Sequence, residues 1–360
     1  MTPTVSGAPT AIPASATAVA IDVTAVSQTS VGNLITYADG TQRPITSATN
    51  WPGANNTVTG YQIVPIGLDG KIAIYNDSTG TTHLLVDLTG YYTSDATLTG
   101  DQTYHPLTSA QRILDTASST AHTNLQATGP VAAGSTFTLT ATGFDGIPST
   151  PTATVTALAI NLTAFDQSGG GIIEAYEDGT TEPTDTTLTY SSSQTASLVA
   201  DVNLSSAGKI DINNIGSNKT DVIGDVSGYF TTDMTGEAYH TVNPTRLVDT
   251  RSGIGGTTGA LAASGVYTIS GGDTQQITTE PNPTLALMLT ATEETEAGDA
   301  VAYPTGATVP GTSNLNWTAG RNIANLALTP TDSTGAVSIT NQSTGTTQLV
   351  VDCSGYFAQP

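Results

Sequence analysis

Apolar residues in this chain come in short runs set between clusters of Gly, Asn, Ser, Thr and Pro. Ala18-Val19-Ala20-Ile21-Asp22-Val23-Thr24-Ala25 is matched by Ala157-Leu158-Ala159-Ile160-Asn161-Leu162-Thr163-Ala164 and by Ala286-Leu287-Met288-Leu289-Thr290-Ala291. Turn residues bound each run, and none is long enough for an amphipathic helix, so each predicts a strand. A second strand ends at Tyr37, Tyr176 and Tyr303, and Gly40, Gly179 and Gly306 then mark turns. Short strands carry Trp51, Tyr190 and Trp317. Gly70, Gly208 and Gly335 lead into Lys71-Ile72-Ala73-Ile74, Lys209-Ile210-Asp211-Ile212 and Ala336-Val337-Ser338-Ile339, a hairpin signature. The last strand of each set reads as buried on both faces. Leu84, Val86 and Leu88 point one way, and Leu85 and Asp87 the other. Leu349, Val351 and Cys353 split in the same way from Val350 and Asp352. Asp87 and its counterparts therefore fall in or beside the core. A carboxylate there needs backbone N–H groups, hydroxyls or an Arg as partners.

The pattern recurs three times. The copies close on Val86-Asp87-Leu88-Thr89-Gly90-Tyr91-Tyr92, Gly224-Asp225-Val226-Ser227-Gly228-Tyr229-Phe230 and Val351-Asp352-Cys353-Ser354-Gly355-Tyr356-Phe357. Gly70, Gly208 and Gly335 each precede the repeated Asp by 17 residues (87 − 70, 225 − 208, 352 − 335). Thr24/Tyr37/Pro44, Thr163/Tyr176/Pro183 and Thr290/Tyr303/Pro310 keep steps of 13 and 7. About seven or eight short strands per copy, without helical interludes, predict an all-β chain of three tandem antiparallel β-sandwich repeat domains, Ig-like or jelly-roll-like. The expected domains are residues 1–97, 98–233 and 234–360, strung as an elongated rod or arc. A further phrase runs from Tyr104-His105-Pro106-Leu107 to Arg112-Ile113-Leu114-Asp115-Thr116. It returns from Tyr239-His240-Thr241-Val242-Asn243-Pro244 to Arg246-Leu247-Val248-Asp249-Thr250-Arg251. This phrase opens the second and third copies and does not precede the first. The first copy is thus the atypical terminal one, a candidate cap or anchor. An array of one module suits extension and surface better than a single catalytic centre.

Composition narrows the function classes. A charged fraction of only 11% is far from the charge-rich signature of disorder. The 8 basic residues against 30 acidic ones give a net charge of −22, which opposes binding to a phosphate backbone or an anionic membrane. That charge favours solubility and low self-association. No apolar stretch approaches the ~20 residues of a membrane span. The N-terminal Met1-Thr2-Pro3-Thr4-Val5-Ser6-Gly7 has no basic leader, so no secretory signal is expected. The one cysteine, Cys353, stands where the other copies have Leu88 and Val226, the place of a small buried hydrophobe.

Asp225-Val226-Ser227-Gly228-Tyr229-Phe230, followed by Arg246-Leu247-Val248-Asp249-Thr250-Arg251, resembles a repeat common in surface and secreted proteins of actinobacteria. That family reads as an opening Pro-x-Arg-Leu-Leu-Asp-Thr-Arg, an Ala-Val-x-Leu-Asn-Val-Thr-Ala strand, a Tyr-Pro-x-Gly turn, a Ser-x-Leu-Asn-x strand, a Gly-Lys-Val hairpin and a closing Gly-Tyr-Phe. Ala157–Ala164, Tyr303-Pro304-Thr305-Gly306, Ser313-Asn314-Leu315-Asn316-Trp317 and Gly208-Lys209-Ile210 fit that pattern. The resemblance covers nearly the whole chain. It implies a β-rich, non-catalytic module of cell-surface or wall-associated proteins, with no catalytic residues to carry over. A chain made of the repeats alone, without a leader, departs from secreted members. It fits a virion protein of a phage that infects such bacteria.

The candidate chemistry has mostly structural readings. Asp87, Asp225 and Asp352 lie in different copies and cannot readily form one acid–base pair. Arg112/Asp115 and Arg246/Asp249 read as interdomain latches, and an extended strand would send Arg246 and Asp249 to opposite faces. His83, His105, His122 and His240 lack zinc-ligand spacing. His105 and His240, each beside a Tyr, read as junction packing. No Gly-x-Ser-x-Gly elbow is present. The loops Asp166-Gln167-Ser168-Gly169-Gly170 and Glu293-Glu294-Thr295-Glu296 are acidic but lack calcium-loop spacing. Trp51, Tyr190 and Trp317 are either core packing or sugar-stacking platforms. The expected protein is not an enzyme and uses no cofactor or metal. It is a structural protein on a phage exterior (capsid decoration, fibre or tail accessory) with other virion proteins and host-surface glycan as partners. Assembly would occur in the host cytoplasm, without nucleic acid or membrane, and a homotrimer would suit such an appendage. The alternative is an extracellular or wall-associated glycan-binding adhesion module.

Overall fold

The computed structural model describes residues 12–93, 101–117, 129–144, 146–149 and 155–359. His122 and the expected boundary at 97/98 lie outside these residues. The first segment holds β1 (Ala16–Val26), β2 (Gly32–Ala38), β3 (Thr49–Trp51), β4 (Val58–Pro65), β5 (Ile72–Asn76) and β6 (His83–Thr93). The second holds β7 (Thr103–Asp115), β8 (Thr136–Thr140), β9 (Val155–Phe165), β10 (Gly171–Glu177), β11 (Leu188–Tyr190), β12 (Ala196–Asn203), β13 (Lys209–Asn214) and β14 (Asp221–Thr231). The third holds β15 (Ala238–Asp249), β16 (Val266–Ile269), the single turn α1 (Gly271–Thr274), β17 (Thr284–Thr292), β18 (Gly298–Pro304), β19 (Leu315–Trp317), β20 (Ile323–Pro330), β21 (Val337–Asn341) and β22 (Gln348–Ala358). Gly70, Gly208 and Gly335 turn the chain into β5, β13 and β21 with φ of 77°, 69° and 82°, a left-handed conformation that a side chain would strain.

These strands make six small antiparallel sheets. One set runs β4-β1-β6, β12-β9-β14-β7 and β20-β17-β22-β15. The other runs β3-β2-β5, β11-β10-β13-β8 and β19-β18-β21-β16. Strand positions correspond across the segments, except that among the described residues the first has no counterpart of β7 and β15 beside β6, nor of β8 and β16 beside β5.

The expectation of three tandem β-sandwich domains on a rod or arc is overturned. The six sheets form a β-propeller-like ring. One hydrophobic cluster joins residues of all three segments, among them Tyr61, Ile63, Leu158, Ile160, Met288, Leu326 and Phe357. Strands β4, β12 and β20, one from each segment, meet pairwise. The reason lies in β1, β9 and β17, whose residues are buried on both faces along most of their length. One face packs within its own segment, as in the separate cluster of Leu287, Leu289, Trp317, Ile339 and Val351. The other face is closed by the neighbouring segments. A strand pattern records that both faces are covered but not which part of the chain covers them.

Candidate functional site

The chemistry-bearing residues gather where the segments meet. Asp352 sits on β22 opposite Arg246 on β15, and Asp225 on β14 opposite Arg112 on β7. Each Arg grips its Asp with two nitrogens: Arg112 Nε and Nη2 donate to Asp225 at 2.8 and 3.0 Å, and Arg246 Nε and Nη2 to Asp352 at 2.8 and 3.1 Å. Both carboxylates are almost fully buried. Burial pushes both upward in pKa and the Arg partner opposes it.

A third donor comes from another segment. Ser313 N donates to Asp225 at 3.0 Å and Ser47 N to Asp352 at 2.9 Å. In the first segment, burial and Asp185 raise the Asp87 carboxyl, and the Thr186 backbone amide opposes that shift. Ser47, Thr186 and Ser313 each stand three residues after the repeated Pro (47 − 44, 186 − 183, 313 − 310). The two bonds run from the first segment to the third and from the third to the second, and Thr186 of the second segment holds the matching place beside Asp87 of the first. More polar links cross the same junctions. Asn325 Nδ2 donates to Asn161 Oδ1 at 2.8 Å, and Asn161 Nδ2 to Ser313 O at 2.8 Å. Tyr61 and Tyr92 donate to Asp201 at 2.6 and 3.0 Å. An aromatic cluster of Tyr92, Tyr104, Phe230, Tyr239 and Phe357 draws rings from all three segments.

The Arg–Asp latches differ from the expected form. Each Arg pairs with the repeated Asp of its own segment, and the contact between segments is made by a loop amide. Arg246 also reaches Asp249 Oδ2 at 3.4 Å, although an ideal strand would separate them. A register shift between Arg246 and Val248 turns the two to the same side. Arg251, in turn, grips Asp249 at 2.9 and 2.7 Å and holds its pKa low.

The first segment has the carboxylate without the cation. Asp87 lies directly across from Asp22, where Asp225 faces Asn161 and Asp352 faces Met288. Asp22 is 3% exposed, and its Oδ1 has no hydrogen-bond partner; nor has Asp185 Oδ1. Burial, then Asp185, Glu174 and Asp87, drives the Asp22 carboxyl well above the usual range. Burial and Asp185 push Glu174 up to about 8, and burial raises Asp201 to about 6. Sequence reasoning missed Asp22, Glu174, Asp185 and Asp201. Asp22, Glu174 and Asp201 carried a signal, an acid inside an otherwise apolar strand.

The remaining candidates are placed as follows. His105 stacks on Tyr229 with centroids 5.1 Å apart, and His240 on Tyr356 at 5.0 Å. Both pairs lie across neighbouring strands of one sheet rather than at a domain junction. His83 is exposed at the start of β6. Cys353 is fully buried, and that burial pushes its thiol up to about 12. Trp51 and Trp317 are fully buried, with indole N–H groups donating to Ser30 O and Glu296 O, and Tyr190 is buried with its hydroxyl on Asn214. None of the three offers a face to a sugar. Asp166 and Glu293 begin tight turns with positive φ. Among the described residues no group of His, Cys, Asp and Glu is arranged to hold a metal ion.

No protein-family model matches the chain, and no curated protein matches it either. Among solved structures, the chain is similar to one described as the triple jelly roll fold and turret assembly in an archaeal virus. The identity is 12%, the TM-score 0.19, and the match covers 96% of this chain and 80% of that one. A structure of infectious bursal disease virus, Gx strain, is similar at 12% identity and TM-score 0.12, covering 96% of this chain and 67% of that one. Both are viral, but likeness at these scores carries no functional argument.

Proposed function

We propose that this chain is a non-enzymatic structural protein of the exterior of a virus particle, a capsid decoration or tail accessory of a phage. What supports the reading is how its interior polar groups are used. Asp225, Asp352, Arg112, Arg246, Asn161 and Asn325 are engaged with one another and with loop amides, so they hold segments together rather than face a substrate. The net charge of −22 would keep such a ring soluble and repel stray anionic surfaces. The resemblance to actinobacterial surface repeats points to a host of that kind.

Density-gradient fractionation of the native source, with the chain followed by mass spectrometry, tests this. Co-banding with DNA-filled particles is the expected result. Recovery in the soluble or wall fraction, with retention on purified cell walls, overturns it in favour of a glycan-binding module.

A further inference from the structure

The edge of β6 is open in a way that no other corresponding edge is. β14 and β22 each carry an added antiparallel strand, β7 or β15, and among the described residues none pairs with β6 on that side. Leu85 and Val86 are 49% and 38% exposed there. An unpaired edge of this kind is a template for another strand. The two filled edges show what that strand supplies. Tyr104 covers Gly228 and Tyr239 covers Gly355, so closely that a Cβ on either glycine would fall within 2.4 Å or less of the ring or hydroxyl. A Cβ on Gly90 would meet only Ala20 Cβ, at 3.8 Å. His105 and His240 stack on Tyr229 and Tyr356, whereas the matching Tyr91 is 42% exposed. Arg112 and Arg246 neutralise Asp225 and Asp352, whereas Asp87 faces Asp22 with no cation.

We propose that the open edge of β6 is a docking site for one extended strand of a partner polypeptide, which lays a Tyr over Gly90, stacks a His on Tyr91 and pairs an Arg with Asp87. The strand runs antiparallel to β6 and carries its Arg seven or eight residues after the Tyr, as the two internal strands do (246 − 239, 112 − 104). Backbone hydrogen bonds along the edge supply affinity, and the three side-chain positions supply selectivity. The argument for this occupant is charge: a cation is what the Asp87, Asp22 and Asp185 group lacks, and a second β6 edge would bring only more acid. Like charges placed opposite one another oppose such pairing. The proposal does not depend on the virion reading.

The test uses the full chain and a synthetic peptide of residues 238–251. Saturable binding is expected, with slowed amide exchange confined to residues 84–92. Binding should weaken about tenfold or more when the peptide carries Arg246→Gln or the chain carries Asp87→Asn. It should vanish with Gly90→Trp, a variant first checked for an unchanged circular dichroism spectrum. Three results overturn the proposal. One is no binding. Another is binding that Asp87→Asn leaves unchanged, which means the peptide is displacing β15 elsewhere. The third is a dimer in sedimentation with β6 protected and no peptide present, which assigns the edge to a second copy.

Discussion

Asp352 and Asp87 hold the same place in the same phrase and live in opposite environments. Around Asp352, Arg246 supplies two nitrogens and Ser47 a backbone N–H, so a buried charge is matched on its open sides. Around Asp87 the Thr186 backbone amide opposes the upward push of burial, but among the described residues no Arg pairs with it and the facing residue is another carboxylate, Asp22. The difference separates two tasks that coincide elsewhere in the ring. The loop amide joins one segment to the next, as Ser47 does at Asp352 and Ser313 at Asp225. The Arg belongs to the added strand and is needed only where that strand is present. A buried carboxylate is tolerated by neutralising it with a partner or by raising its pKa until it holds a proton. Asp225 and Asp352 have such a partner, whereas Asp22 and Glu174 are raised without one.

The largest test removes the cation. Arg246→Leu leaves Asp352 buried with one amide donor, and breaking a buried pair from one side costs about 3–5 kcal/mol. Urea denaturation should show that loss as a lower midpoint. Asp87→Leu breaks no ion pair and removes one of two facing acids, so its midpoint should equal or exceed that of the parent chain. Equal losses from both substitutions would show that the two carboxylates are held alike, and the contrast would collapse.

A second test compares glycines of the same phrase. A methyl group at Gly228 would meet the Tyr104 ring at 2.4 Å, and at Gly355 the Tyr239 hydroxyl at 2.1 Å. Overpacking of this kind costs about 1–3 kcal/mol. Gly90→Ala has room, at 3.8 Å from Ala20 Cβ, and should fall within about 0.5 kcal/mol of the parent. A thermal melt of Gly90→Ala as low as that of Gly228→Ala would mean that something already covers Gly90.

These contrasts also mark how far the sequence could be read. The strands, their hairpin glycines and the burial of Asp225 and Asp352 were legible, because alternation and turn residues are local signals. The opening phrase was legible too as a mark of the second and third copies, and among the described residues no strand takes the place of β7 or β15 beside β6. The ring was not legible. The Val199 amide N–H donates to Asn325 Oδ1 of the third segment, and no spacing rule links residues 126 positions apart. Arg246 and Asp249 were assigned to opposite faces because a register shift leaves no mark in an alternating pattern. The group around Asp22 escaped for a similar reason: Glu174 and Asp185 come from a different segment, and Asp185 looks like an ordinary surface acid in the linear chain.

The smallest effect is set by pH, and its sign should reverse between Glu174 and Asp249. Glu174 is pushed up to about 8 by burial and Asp185, from an ordinary value of 4.5. Between those values the folded chain keeps a proton that the unfolded chain releases, so stability falls as pH rises from about 4.5 to 8. Asp249 is held below its ordinary 3.8 by Arg251. Its contribution is present above that value and is lost as pH falls through the lowered one. Glu174→Gln should therefore flatten the decline in melting temperature on the alkaline side and leave the acid limb in place. Asp249→Asn should do the converse, weakening the acid limb while the alkaline decline persists. An alkaline decline that survives Glu174→Gln unchanged would place the proton on another raised acid, Asp22, Asp201, Glu237 or Glu294, which the corresponding Asn or Gln variants would then reveal.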